Sequence, residues 1–322
     1  MSVRSLSLLN DIVFKCIFGT EQNTPILRAL LNALLDLSGE ARIVELEIQN
    51  PIHDKDRLLD KGIVLDVKAR DSQRRLYNIE VQLSREPAYV ARVLYYVARL
   101  FGSQIQAGQP YARLAKTIGI SLLDFELFSD QEDLHSTFTM YDVRHGRELT
   151  DLLELHFIEL SKFRRDKPEE LRTPFENWLH LLKFSELYGD ESGPVPEVLA
   201  KEEGIEMLLG ELRKLSASQQ VRELIEAREK ASHDLASRIE TAELEGLQRG
   251  LQKGLEQGLE KGREQGLEQG REQGLEQGLE KARQEERQRW LEAVRRMRQA
   301  GMTVQTIAQL TGLSPEEVER QD

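Results

Sequence analysis

Three residues in this 322-residue chain have types and spacing that suggest chemistry: Asp66 in GIVLDVKAR, and Glu80 and Gln82 in YNIEVQ. Side chains alternate across a strand, so Glu80 and Gln82 share one face while Ile79 and Val81 take the other. If the two runs pair as a hairpin, Asp66 can lie opposite that pair. Two carboxylates beside a polar amide are hard oxygen donors suited to Mg2+, with Mn2+ or Ca2+ as alternatives. Such an ion can bind a phosphate, lower the pKa of an attacking water and neutralise a leaving oxygen. Lys68, two residues after Asp66, falls on the same strand face, and Lys15 lies one helical turn after Asp11. Periodicity alone leaves a competing reading open, in which the acids are solvated strand residues and Asp11 and Lys15 form a surface ion pair worth a few tenths of a kcal/mol.

The elements that must position these residues are legible from hydrophobic period. Residues 11–37 place apolar side chains at helical spacing, with Gly19 and Pro25 marking a break between two helical pieces. Residues 43–49, 62–70 and 76–83 read as strands, and the segment DSQRR between the last two has hairpin length. A helix is predicted over 87–106, a strand over 117–128, further alternating stretches over 137–143 and 152–159, and a helix over 161–189. This order predicts an α/β domain, a mixed sheet covered by helices. Helix 87–106 interleaves Tyr89, Arg92, Tyr95, Tyr96 and Arg99, which can grip phosphates and stack on bases; tyrosines packed in a core beside surface arginine ion pairs are the simpler reading. The six histidines show no HxH or HExxH spacing and receive no role.

Beyond the linker candidate DESGPVP at 190–196, the composition shifts to Glu, Lys, Arg, Gln, Leu and Gly. We divide the chain into a domain at 1–190, a linker and helical region at 191–245, a Gly-x-x-x helical repeat at 246–282 and a helical module at 283–322. Nine glycines recur every fourth residue from Gly246 to Gly278. Each costs a helix about 1 kcal/mol relative to alanine, and the stripe advances about 40° per repeat, so any pairing would be backbone-close and not a leucine zipper. A solvated helical spacer is the alternative. The ending TVQTIAQLTGLSPEEVERQ has a helix-turn-helix cadence, but its second helix is short and acidic, which favours a structural cap or self-association module over DNA reading.

A net charge of -12 argues against nonspecific coating of nucleic acid; residues 1–189 hold 24 Lys or Arg against 28 Asp or Glu, a near-neutral balance that still permits basic rims for phosphate. The single cysteine, Cys16, allows no internal disulfide and no Cys-based zinc site within one chain. No apolar run reaches the length of a membrane span, and the N-terminus lacks a signal peptide's pattern, so the expectation is a soluble, cytoplasmic protein with no membrane association.

In order, NDIVFKCIFG, ILRALLNALL, LDVKARDSQRRLYNIEVQ, YVARVLYYVARLF and ISLLDFELF resemble the recombination-promoting nuclease family, also described as PD-(D/E)xK family transposases. The likeness spans roughly residues 5–190, and the glycine-rich repeat and TVQTIAQLTGLSPEEV are similar to the tails such proteins carry. It implies a restriction-endonuclease-like PD-(D/E)xK core, followed here by a long α-helical C-terminal tail. It implies a metal-dependent DNA endonuclease linked to recombination, mobile elements or defence, with Asp66 and Glu80 as metal ligands. Gln82 stands where the general motif has lysine and lacks its charge, though its amide can orient water or phosphate. Asp11 and Lys15 match the family's opening block and are expected next to the site, with Lys68 or Lys15 as the replacement cation. The implied partners are DNA and a second copy of the chain, as a homodimer or higher homo-oligomer through the tail. A nuclease fold that has lost turnover and assembles through its tail is the competing function.

Overall fold

A computed structural model describes residues 5–49, 66–189 and 195–320. The chain divides into two compact units, Met1–His233 and Asp234–Asp322. The first is an α/β unit. Helices α1 (Asp11–Phe18) and α2 (Thr24–Leu34) lead into strand β1 (Leu46–Ile48), then β2 (Val67–Asp71) and β3 (Leu76–Gln82). Helix α3 (Tyr89–Gly102) crosses to β4 (Thr117–Leu123), and β5 (His135–Asp142) and β6 (Arg147–Glu159) follow as a hairpin. The sheet order is β1-β2-β3-β4-β6-β5, with β3, β4 and β6 parallel and the outer pairings antiparallel. Helices α4 (Pro174–Phe184), α5 (Glu197–Ala200) and α6 (Ile205–Ala217) complete this layer, and α7 (Gln219–Gln299) begins in the first unit.

One sheet face is the main core: Val67, Ala69, Tyr77, Ile79, Ile118, Ile120 and Ile158 are buried together with α1, α2, α4 and α6 side chains such as Phe14, Leu30, Trp178 and Leu212. The same cluster takes in Leu199, Ile205, Val221 and Leu224, so the first unit runs to His233, past the composition change near 200. The other face is covered by α3, whose Tyr89, Val93 and Val97 pack on Leu123 and Phe157. Gly119 makes that approach possible, because a Cβ there would meet Val97 Cγ2 at 2.7 Å and Leu155 Cδ2 at 2.9 Å.

The α/β architecture is the one expected, with local differences in where elements begin and end. Of the strand predicted over 62–70, residues 62–65 lie outside the described residues, and the strand itself occupies Val67–Asp71. The strand predicted to reach 128 ends at Leu123: the Asp124 N–H still bonds to the Gln82 carbonyl, but Leu127 and Phe128 N–H are captured by the Glu159 carboxylate, which turns the chain off the ladder. The helix predicted over 161–189 is α-helical only from Pro174 to Phe184, because Pro168 and Pro174 each break a continuous helix and Thr173 caps the start by accepting from Glu176 N–H.

In the second unit, α7 carries leucines 247, 251, 255, 259, 267, 275 and 279, each more than half exposed, and a Cβ on any of the nine repeat glycines would have open space around it. Helices α8 (Val304–Thr311) and α9 (Pro315–Glu319) fold back on the end of α7, burying Val294, Ile307 and Val318 together. Ser314 and Glu317 form a reciprocal cap at the start of α9. Among the described residues no helix is long and apolar enough to cross a membrane.

Candidate active site

The hairpin β2–β3 pairs Val67 with Ile79 and Lys68 with Asn78. Continued by one residue, that register sets Asp66 across from Glu80, and directly opposed residues point to the same face. This is the α3 face, shared with Lys68 and, by the β3–β4 register, with Ser121 opposite Glu80. Asp66 and Glu80 therefore lie on one side of the sheet, next to the helix that carries Arg92.

Asp66 is buried, and its Oδ2 is 3.3 Å from Lys68 Nζ. Lys15 reaches the same residue from α1, where its Nζ donates to the Asp66 carbonyl oxygen at 2.6 Å. The geometry of α1 makes this possible. Asn10 caps the helix by accepting from Ile12 and Val13 N–H, and Gly19 leaves room for the Lys15 stem, which a Cβ at 19 would meet at 2.8 Å. Burial lowers the Lys15 pKa to about 8, with Asp66 opposing and Lys68 reinforcing the shift. Asp11 takes another direction: its Oδ2 lies 3.3 Å from Arg228 and its Oδ1 accepts from Ile12 N–H. Asp11 and Lys15 thus turn to different partners.

Burial raises the Glu80 carboxyl above its ordinary pKa; the nearby Tyr89 hydroxyl and the Arg92 charge oppose this, while Asp66 and Glu86 add to it. Among the described residues, Glu80 Oε1 and the Tyr89 hydroxyl are each buried without a hydrogen-bond partner, so Tyr89 acts on Glu80 by proximity. Gln82 has both ends of its amide engaged. Its Nε2 donates to the Ser84 carbonyl at 3.0 Å and to Glu86 Oε1 at 3.1 Å, and its Oε1 accepts from Arg92 at 2.7 Å.

Sequence reasoning brought Asp66, Lys68, Glu80 and Gln82 to one face and placed Lys15 beside them. It missed Ser121 and Glu86 and gave Arg92 no link to Gln82. Ser121 had a signal, a hydroxyl in the middle of the apolar run IGISLL; Glu86 had none.

A mixed six-stranded sheet with helices on both faces and a long C-terminal helix fits an α/β nuclease core with a helical tail. A family model described as PD-(D/E)XK nuclease family transposase matches residues 8–242, and the chain belongs to that family. No curated protein and no solved structure matches the chain. Membership supports a nuclease-type hydrolase, and such nucleases generally use divalent metal ions.

The residues present fit such an ion. Among the described residues no cluster of three or more His, Cys, Asp or Glu side chains could enclose a metal. Mg2+, however, is commonly held by one or two carboxylates with waters and substrate phosphate completing its shell. A buried Glu80 oxygen without a donor among the described residues, its carboxyl raised by burial and further by Asp66, matches that mode. A cation there would relieve both the burial and the repulsion.

Proposed function

We propose that the first unit is a divalent-metal-dependent DNA endonuclease in which Asp66 and Glu80 hold Mg2+ or Mn2+. The observation that carries this reading is Glu80 Oε1, buried with no hydrogen-bond partner among the described residues, on the sheet face that Asp66 shares. When bound, the ion would polarise the scissile phosphate and favour ionisation of an attacking water. The chain's own residues supply the frame: Lys15 fixes the Asp66 backbone, Lys68 balances the Asp66 charge, and the Gln82 amide anchors the α3 side. Asp11 braces α1 through Arg228 at the margin of this frame. The expected result is nicking or linearisation of supercoiled plasmid by the full-length protein with Mg2+ or Mn2+, abolished by EDTA and by Asp66→Ala or Glu80→Ala. Plasmid left intact by wild type and Asp66→Ala alike would remove this reading.

The exposed leucines and open glycines of α7 favour a second role, self-association through the tail as a homodimer or larger homo-oligomer. Cutting both strands of a duplex calls for two active sites, which a dimer provides. Truncation after residue 233 separates the roles: nicking of single strands should remain with the first unit while linearisation falls, and the oligomer should dissociate in analytical ultracentrifugation.

A further inference from the structure

Gln82 occupies the motif lysine's place but cannot bring positive charge to a phosphate. Its amide is also fully used, with Nε2 bound to Ser84 and Glu86 and Oε1 bound to Arg92. We infer that Arg92, held by Gln82 and Glu86, is the cation that contacts the scissile phosphate, and that Gln82 is its positioning residue; this inference rests on the nuclease reading above. Arg92 donates to Gln82 Oε1 at 2.7 Å and to Glu86 Oε2 at 2.6 Å, and its guanidinium carbon sits 5.3 Å from the centre of the Tyr89 ring. These three contacts fix a side chain that otherwise carries about 2 kcal/mol of rotamer entropy. Its charge reaches Glu80, where it opposes the effect of burial. About one third of the side chain remains exposed, and the guanidinium has N–H donors beyond the two engaged. A planar fork with spare donors suits two phosphate oxygens better than an ammonium does. The two lysines near the site are committed elsewhere, Lys68 to the Asp66 carboxylate and Lys15 to the Asp66 carbonyl.

The test compares full-length wild type, Arg92→Ala, Arg92→Lys and the double variant Arg92→Ala with Gln82→Lys. Plasmid cleavage is measured with Mg2+, and binding of a fluorescein-labelled duplex is measured with Ca2+ across a salt series. Arg92→Ala should lose about 100- to 1000-fold in cleavage rate, the size of effect seen when one preorganised donor to a reacting centre is removed. Its slope of log affinity against log salt should fall by about one, as expected for a single lost phosphate contact. Arg92→Lys should recover part of the rate, and the double variant, which restores lysine at the motif position, should regain at least tenfold over Arg92→Ala together with the salt slope. Undiminished cleavage by Arg92→Ala overturns the inference and leaves the nuclease reading intact. Lost cleavage with an unchanged salt slope and no recovery in either lysine variant overturns it too, assigning Arg92 to packing alone. If wild type cuts no DNA, the nuclease reading fails separately, and the salt slope alone decides whether Arg92 contacts phosphate.

Discussion

Lys15 and Asp66, 51 positions apart, meet where the Lys15 ammonium donates to the Asp66 carbonyl oxygen at 2.6 Å. That bond ties α1 to the residue just before β2 and so sets where the Asp66 carboxylate begins. Lys15→Met keeps the apolar stem and removes the donor. Residues that orient a metal ligand typically change metal affinity by about 10- to 100-fold when removed. Mn2+ affinity measured by calorimetry should therefore weaken by about tenfold or more in Lys15→Met, with little change in Lys15→Arg. Equal affinity in all three proteins would reduce Lys15 to a packing residue.

The position of α3 depends on Gly119. A Cβ at 119 would meet Val97 Cγ2 at 2.7 Å and Leu155 Cδ2 at 2.9 Å. Val97 is β-branched and stiff at χ1 in a helix, so it yields poorly. Gly119→Ala should destabilise the fold by about 1 to 3 kcal/mol, the usual range for overpacking. Because α3 also carries Arg92, cleavage should fall as well, and Val97→Ala in the same chain should restore both melting temperature and rate. A variant as stable as wild type would show that the helix shifts freely.

The hairpin that carries the acids was legible because alternation and the turn segment DSQRR are local signals. Asp71 closes that turn with its own side chain, accepting from Arg75 N–H at 2.8 Å and from the Tyr77 hydroxyl at 2.9 Å. The pairing of Gln82 with Arg92 was not legible. It joins a strand end to a helix across a turn, and its register depends on how α3 sits over Gly119. Pro168 and Pro174 did signal the broken helix after β6, but the apolar period around them outweighed the breaks. The leucines of α6 showed helical spacing without naming the core they join, since burial against a distant sheet has no mark in the local sequence.

At the edge of the sheet, His135 on β5 bonds to His156 on β6, with Nε2 and Nδ1 2.9 Å apart, and His156 Nε2 lies 2.8 Å from Glu154. Burial, then the charge of His156, lowers the His135 pKa to about 4, with Glu154 opposing. Unfolded His135 protonates near its ordinary value of 6.5 while the folded side chain resists, so stability declines as pH falls from about 6.5 to about 4. Glu154 is lowered to about 2, first by the hydrogen bond with His156, against burial, and then by Lys116. It adds a further loss as pH falls from 4.5 towards 2. His135→Phe keeps a ring against Phe175 and removes the first titration. Urea unfolding at pH 7 and pH 4.5 should show wild type losing about 1 to 2 kcal/mol more than the variant, an amount reduced for partial solvent screening. Equal losses would place the acid sensitivity elsewhere.

The glycine repeat of α7 offers a contrast in which helix stability and assembly move in opposite directions. Nine glycines weaken a helix by about 1 kcal/mol each relative to alanine, yet among the described residues none has a neighbour that a Cβ would strike. Packing among the described residues therefore gives no reason for glycine at these positions. Close approach of a second backbone does, and the adjoining leucines, 55% to 74% exposed, supply apolar area for such a contact. Replacing all nine with alanine should raise helicity by circular dichroism and the melting temperature of the isolated chain. If the glycines serve pairing, the same variant should sediment as a smaller species than wild type at equal concentration. A more helical variant with an unchanged sedimentation coefficient would assign the stripe to a solvated spacer and move self-association, if present, to another surface.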